Sequence, residues 1–203
     1  MTKWALLCSG VVTLLLVVSL AVSAGSASPR PPMRPYAGIG LVFSVGQISA
    51  EGELLPLPLY EEPGLTRIGA VSGTTVTGIE WLFGNGVKPV PFIVTARRGE
   101  WLRILYDDAG HEGWVNPEVA GRFQGWDHFL KQQSCRMLPG LLPRYYSLLS
   151  TPGGTSLGTV QAKQQFRVLK RENDWVMVLS VPYRLGWIRW RDEDGRLLVG
   201  FQP

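Results

Sequence analysis

Few side chains in this sequence are of types that do chemistry, and their spacing limits what they can do. The cysteines are Cys8 and Cys135, and the histidines are His111 and His128. A nucleophilic cysteine needs a base held within hydrogen-bond reach. His128 lies seven residues before Cys135, a separation that by itself fixes no geometry. Two histidines and one cysteine past the leader are too few for the usual zinc clusters, although carboxylates could complete a site. The carboxylate pairs Glu61-Glu62 and Asp107-Asp108 are adjacent, so on a strand each pair points to opposite faces, and in a turn each is solvated. Asp192-Glu193-Asp194-Gly195 lacks the spacing and distal glutamate of an EF-hand calcium loop. No glycine-rich phosphate cradle precedes a helix. These residues predict no catalytic group, no metal and no cofactor.

The aromatic residues are more informative. Gly99-Glu100-Trp101-Leu102-Arg103-Ile104-Leu105-Tyr106 is followed by Gly113-Trp114-Val115. The pattern returns as Asn173-Asp174-Trp175-Val176-Met177-Val178-Leu179 and Gly186-Trp187-Ile188. Further landmarks keep the same order. The turns Glu62-Pro63-Gly64 and Thr151-Pro152-Gly153 each precede a glycine, Gly69 or Gly158, and Phe92 and Phe166 each stand nine residues before the first tryptophan of their copy. Collinear landmarks of this kind signal an internal duplication. The first copy carries 15 extra residues between Gly69 and Phe92. Thr74 to Thr77 and Ile79 to Phe83, before Gly84-Asn85-Gly86, predict a β-hairpin there.

Strand parity assigns faces. Leu102 and Ile104 fall on one side and Trp101 and Arg103 on the other, and Val176 and Val178 oppose Trp175 and Met177 in the same way. Aliphatic residues suit a core, which leaves the first tryptophan of each copy on the opposite, potentially accessible face. By the same parity Val115 and Ile188 point inward, and Trp114 and Trp187 outward.

The elements that must position these residues are mostly strands. The 203 residues include 24 glycines and 15 prolines, with 45% hydrophobic residues, a composition of many turns and short packed elements rather than disorder. Ile39, Leu41, Phe43 and Val45 alternate with Gly40, Val42 and Ser44, as in a strand with one buried face. Leu54 to Leu59 reads as extended but, with Pro56 and Pro58, unsuited to a central strand. Gln124 to Gln133 predicts the one helix, with Trp126, Phe129 and Leu130 on one side, wedged between the copies. Trp190 to Phe201 predicts a terminal hairpin around Asp194-Gly195.

Residues 1–27 read as a signal peptide, with Lys3 before an apolar run and small residues at Val22-Ser23-Ala24 or Gly25-Ser26-Ala27. The run is also long enough for an uncleaved anchor, which would be the only membrane attachment. Residues 28–38 form a proline-rich neck. The first domain then spans 39–121, a linker with the short helix 122–143, and the second domain 144–203. The formal net charge is +4. Residues 36–121 hold 5 basic and 10 acidic side chains, and residues 134–203 hold 10 basic and 5 acidic. Such opposite fields dock one half on the other or draw an anionic partner to the second half. Nucleic acid is not expected for an exported chain.

The pattern resembles the bacterial SH3-like domain family. The matching residues are Pro63-Gly64, Glu100-Trp101-x-x-Ile104 and Gly113-Trp114-Val115, then Pro152-Gly153, Asp174-Trp175-x-x-Val178 and Gly186-Trp187-Ile188. They cover about residues 54–119 and 144–191. The family's Leu-Asn-Val-Arg lead-in is absent from both copies. The resemblance implies two partly open five-stranded barrels in tandem, in an all-β, non-enzymatic protein of the periplasm or cell exterior. It also implies recognition of cell-wall glycan or peptide, or of an envelope protein. A tryptophan ring stacks on a sugar or packs on a proline ring, so the candidate ligand-binding residues are Tyr60, Trp101, Trp114, Trp175 and Trp187. Two alternatives remain. One is a structural accessory subunit whose aromatic faces are covered internally. The other is a cysteine-dependent cell-wall enzyme, because Ser134-Cys135-Arg136-Met137 resembles the Gly-Cys-x-Arg-Met segment of L,D-transpeptidases. No residue separates Cys135 from Arg136, however, and no His-Gly closely precedes the cysteine.

Overall fold

The computed structural model describes residues 33–44, 55–72, 80–84, 90–107 and 109–202. The leader and the start of the neck lie outside them, as do residues 73–79 and 85–89 of the expected hairpin. Within the described residues the chain is mainly β. The first sheet contains β1 (Gly40–Ser44), β2 (Leu57–Tyr60), β3 (Arg67–Val71), β4 (Val90–Arg98), β5 (Trp101–Leu105), β6 (Glu112–Val115) and β7 (Phe123–Gly125). Its order is β3-β2-β6-β5-β4-β1-β7. The second sheet contains β8 (Ser134–Met137), β9 (Ser147–Leu149), β10 (Ser156–Thr159), β11 (Gln165–Glu172), β12 (Trp175–Ser180), β13 (Arg184–Arg189) and β14 (Val199–Gln202). Its order, β10-β9-β13-β12-β11-β8-β14, repeats the first strand for strand. All of the strand pairs in both sheets are antiparallel.

The repetition extends to register. Leu102 pairs with Val115 and Arg103 with Trp114, as Val176 pairs with Ile188 and Met177 with Trp187. Each long strand shifts register two residues after its phenylalanine, between Val94 and Ala96 and between Val168 and Lys170. The two Pro-Gly turns match as well. Gly64 and Gly153 adopt φ 73° and 71°, a region open to glycine without a Cβ clash. Glu61 N–H donates to Thr66 O as Ser150 N–H does to Thr155 O, both at 2.9 Å. Seven strands per sheet exceed the five expected, because each copy adds one strand before its hairpin and one after its Trp motif. Neither sheet closes as a barrel.

Several elements depart from the sequence reading. β1 is buried at both Leu41 and Val42, so covered on both faces; it is an inner strand between β4 and β7, and the linker helix packs on it through Phe129 against Phe43. β2 sits inside the sheet, but it pairs with β6 only at Tyr60 opposite Trp114, which spares Pro58 a second ladder. Where the hairpin was expected, Glu80–Phe83 forms a helical turn, α1, with Leu82 and Phe83 in the core. A second short helix, α2, covers Pro117–Ala120.

The linker helix α3 spans Trp126–Gln132 and buries Trp126, Phe129 and Leu130, as its spacing predicts. These rings form a seam with both sheets. Phe129 meets Phe43 of β1 at 5.7 Å and Phe201 of β14 at 4.9 Å, while Trp126 meets Trp190 at 5.4 Å. Phe83 stacks on Phe201 at 5.0 Å. One continuous apolar core therefore runs through both copies.

The described part of the neck is docked on the terminal hairpin. Leu197 N–H donates to Pro35 O at 3.1 Å and Ala37 N–H to Gly195 O at 2.9 Å. Arg34 reaches the buried Asp192 at 2.6 Å. Asp192 also accepts the backbone N–H groups of Asp194 and Arg196 at 3.1 and 2.8 Å, which folds the acidic turn around it.

Candidate recognition site

Register places Trp101, Arg103 and Trp114 on one face of the first sheet, opposite the core residues Leu102, Ile104 and Val115. Trp175, Met177, Trp187 and Arg189 share the corresponding face of the second. The first tryptophan of each copy is half-buried there, and the Tyr60 ring meets Trp101 edge-on at 5.2 Å. The closing tryptophans do not present open rings. Trp114 and Trp187 are only 5% and 6% exposed. The Arg98 and Arg103 guanidiniums lie 5.5 and 5.8 Å from the Trp114 ring, and the Lys170 ammonium lies 6.0 Å from the Trp187 ring. Long cationic side chains one or two strands away can lay their apolar stems over an indole and gain a cation–π contact. Parity assigns the face correctly, but it carries no information about what covers it.

Trp175 is the candidate that borders a cavity with charged walls. A cavity of about 170 Å³ is lined by Arg144, Tyr145, Ser147, Trp175, Arg189 and Glu193. Arg144 and Tyr145 come from a 3-10 turn, Pro143–Tyr146, opened by a proline at its first position. Trp175 begins β12 and Arg189 ends β13, directly opposite it. The Arg189 guanidinium lies over the Trp175 ring at 4.7 Å. Glu193, from the terminal hairpin, closes the wall. Tyr145 O–H donates to Glu193 Oε2 at 2.7 Å, Arg189 Nη1 is 3.2 Å from Glu193 Oε1, and Arg144 Nη2 is 4.0 Å from Oε2. The Tyr145 hydrogen bond, then a backbone hydrogen bond, hold the Glu193 carboxyl below the usual range against desolvation, with smaller help from the Arg189 and Arg144 charges.

The first sheet has a smaller counterpart at the same place, about 80 Å³, lined by Leu57, Pro58, Tyr60, Val115 and Asn116. Asn116 follows Val115 there, as Arg189 follows Ile188 in the second copy. No ionisable carboxylate or arginine lines it. Sequence reasoning missed the partners of Trp175. The pairing of Trp175 with Arg189 follows from extending the Trp187 hairpin register by two residues. Arg144, Tyr145 and Glu193 lie in connecting segments, where no periodic pattern marks them.

The groups suited to covalent chemistry each have other partners. Cys135 is buried in β8 between Phe166 and Phe201, and burial pushes its thiol up to about 12. A thiol in that state is not a nucleophile at neutral pH. The His128 ring nitrogens face Gln124 at 2.5 Å and Gln132 at 3.2 Å. His111 pairs with Asp107 at 2.6 Å. Desolvation raises the Asp107 carboxyl, but hydrogen bonds from the His111 side chain and backbone outweigh it and hold it low. Among the described residues, no group of three or more His, Cys, Asp or Glu is placed to hold a metal, and no helix is long and apolar enough to cross a membrane.

Fold and site together define a mostly β protein made of two copies of one seven-stranded sheet, with an aromatic and cationic face on each. No known protein-family model matches the chain, and no curated protein is significantly similar to it.

Proposed function

We propose that this chain is a non-catalytic binding protein of the bacterial cell envelope, exported by its N-terminal segment, whose two modules are SH3-like and recognise peptidoglycan. The observation that carries the reading is the half-buried Trp175, set on the face away from the core and bordering a cavity walled by Arg144 and Arg189. An aromatic plane beside cations suits a polymer of sugars and carboxylate-bearing peptides. The matched Pro-Gly turns and the paired Trp strands support the SH3-like assignment. Co-sedimentation with purified cell-wall sacculi tests it. The wild type is retained, and Trp175→Ala, with unchanged circular dichroism, is not; failure of the wild type to sediment rejects the glycan reading.

A specific surface favours a second reading, a protein partner. Val181, Tyr183 and Leu185, at and beside the β12–β13 turn, are exposed, Tyr183 by 91%. Exposed apolar residues grouped in one segment mark interaction surfaces. Crosslinking in intact envelopes through position 183 should then recover one specific protein, and its absence counts against this version. The accessory-subunit alternative draws on the covered Trp114 and Trp187, and predicts neither result.

A further inference from the structure

We propose that the Trp175 cavity is a receptor for a peptide's free carboxylate and that Glu193 occupies that receptor in cis. The proposal rests on the recognition reading above and names the ligand group. Its first support is the preorganisation of Arg189. The guanidinium is fixed against Trp175 and held by register at the end of β13. Its Nη1 is closed off from solvent, yet it makes no aligned hydrogen bond, although Glu193 Oε1 is only 3.2 Å away. A donor buried in this way is under-satisfied, and a carboxylate entering along the fork of an arginine satisfies it in a paired geometry.

The second support is the charge count at the cavity. Two arginines face one carboxylate, and Arg144 is too far from Glu193 for a hydrogen bond. Glu193 is held by one short bond, from Tyr145, and its side chain is 54% exposed on a turn. Exposed ion pairs are weak, so this carboxylate is readily exchanged. A ligand carboxylate would take the Arg189 and Tyr145 donors while Glu193 turns out to solvent. The cavity has room for a carboxylate with a small side chain beside it, which would rest on the open part of Trp175. The ligand class is therefore a peptide ending in a small residue with a free C-terminus. The counterpart cavity, with Asn116 in place of Arg189, offers no such clamp.

A ligand that must displace an internal competitor binds more weakly by the competitor's occupancy. Isothermal titration of the whole chain with N-acetyl-alanyl-alanine and with its C-terminal amide tests this. The acid should bind at least about tenfold tighter than the amide, Glu193→Gln and Glu193→Ala should each tighten acid binding by about threefold or more, and Arg189→Gln should abolish it. Glu193 is exposed, so both of its variants keep the fold, read by circular dichroism. Equal binding of acid and amide, weaker acid binding by the Glu193 variants, or no saturable acid binding by Glu193→Gln would each overturn the proposal. The two levels separate. Sacculus retention with no acid preference rejects the carboxylate receptor and leaves the recognition reading standing, whereas acid-selective binding without retention does the reverse.

Discussion

On β8, with Phe166 and Phe201 as its cross-strand neighbours, Cys135 has its chemistry set by burial. The folded chain holds the thiol proton up to about pH 12, against an ordinary value of 9.0. An acid whose pKa rises on folding keeps its full contribution to stability below the unfolded value and loses it as pH climbs toward the folded one. Stability should therefore decline above about pH 9, by up to about 1.4 kcal/mol per unit from this group. Urea midpoints at pH 8 and pH 10, compared between the wild type and Cys135→Ala, check it: the wild type should lose more on going to pH 10. A thiol reagent should label Cys135 of the native protein only as fast as it unfolds. The same contrast explains what was legible at this scale. Residue type announced Cys135 and the tryptophans, and parity gave Trp101 and Trp175 their faces. The covering of Trp114 by Arg98 and Arg103 depends on the reach of side chains from neighbouring strands, which no spacing records.

Among the elements, the repeated hairpins carry a direct test. Gly186 of β13 and Gly113 of β6 hold equivalent places, opposite Val178 and Ile104. A Cβ on Gly186 would lie 2.6 Å from Leu148 Cγ and 3.0 Å from Leu149 O, which is backbone. On Gly113 the nearest atom is Leu59 Cδ2 at 3.1 Å, a methyl at the end of a flexible side chain. Gly186→Ala should thus cost about 1–3 kcal/mol in urea unfolding and Gly113→Ala less than about 1 kcal/mol. Equal costs would show that the two copies do not pack their hairpins as described. The strands with landmarks were readable because glycine turns and aromatic positions recur. β7 was not, since three residues hold no measurable period, and β14, read as the apolar arm of the terminal hairpin, pairs along its length with β8. α1 escaped for a related reason: its four residues, Glu80 to Phe83, fit a strand as well as a helical turn, and the choice is made by burying Leu82 and Phe83 in the shared core.

At the scale of the whole molecule, several arginines of the second half are tied to fixed partners within the protein. Arg191 pairs with Asp174 at 2.6 Å, Arg184 donates to Leu157 O and Thr159 O, and Arg136 to Trp81 O. A carbonyl partner leaves a guanidinium its charge, so the basic excess persists; salt screens it beyond about 8 Å, and the cavity arginines act at shorter range beside Trp175. The docked neck is a second device at this scale. Asp192→Asn removes the charge that faces Arg34 and should cost about 1–3 kcal/mol. Hydrogen exchange distinguishes its effect: the Ala37 and Leu197 amides, which bond across this contact, should lose protection while the Val178 amide keeps it. Uniform loss across β12 would place Asp192 in the core network instead.

That contact also orders events in time. Arg34 and Asp192 are 158 residues apart in sequence, and closing so long a loop in an open chain costs about 4 kcal/mol of entropy. The sheets, built from nearer partners, form at lower entropic cost. Once α3 has seated Phe129 against Phe201, the two ends of that loop are already neighbours and little entropy remains to be lost. Residues 33–36 should then be the last segment to lock and the first to release, while Ala37 stays in the core under the Trp126 indole, so an early opening event should free the neck while both sheets stay folded.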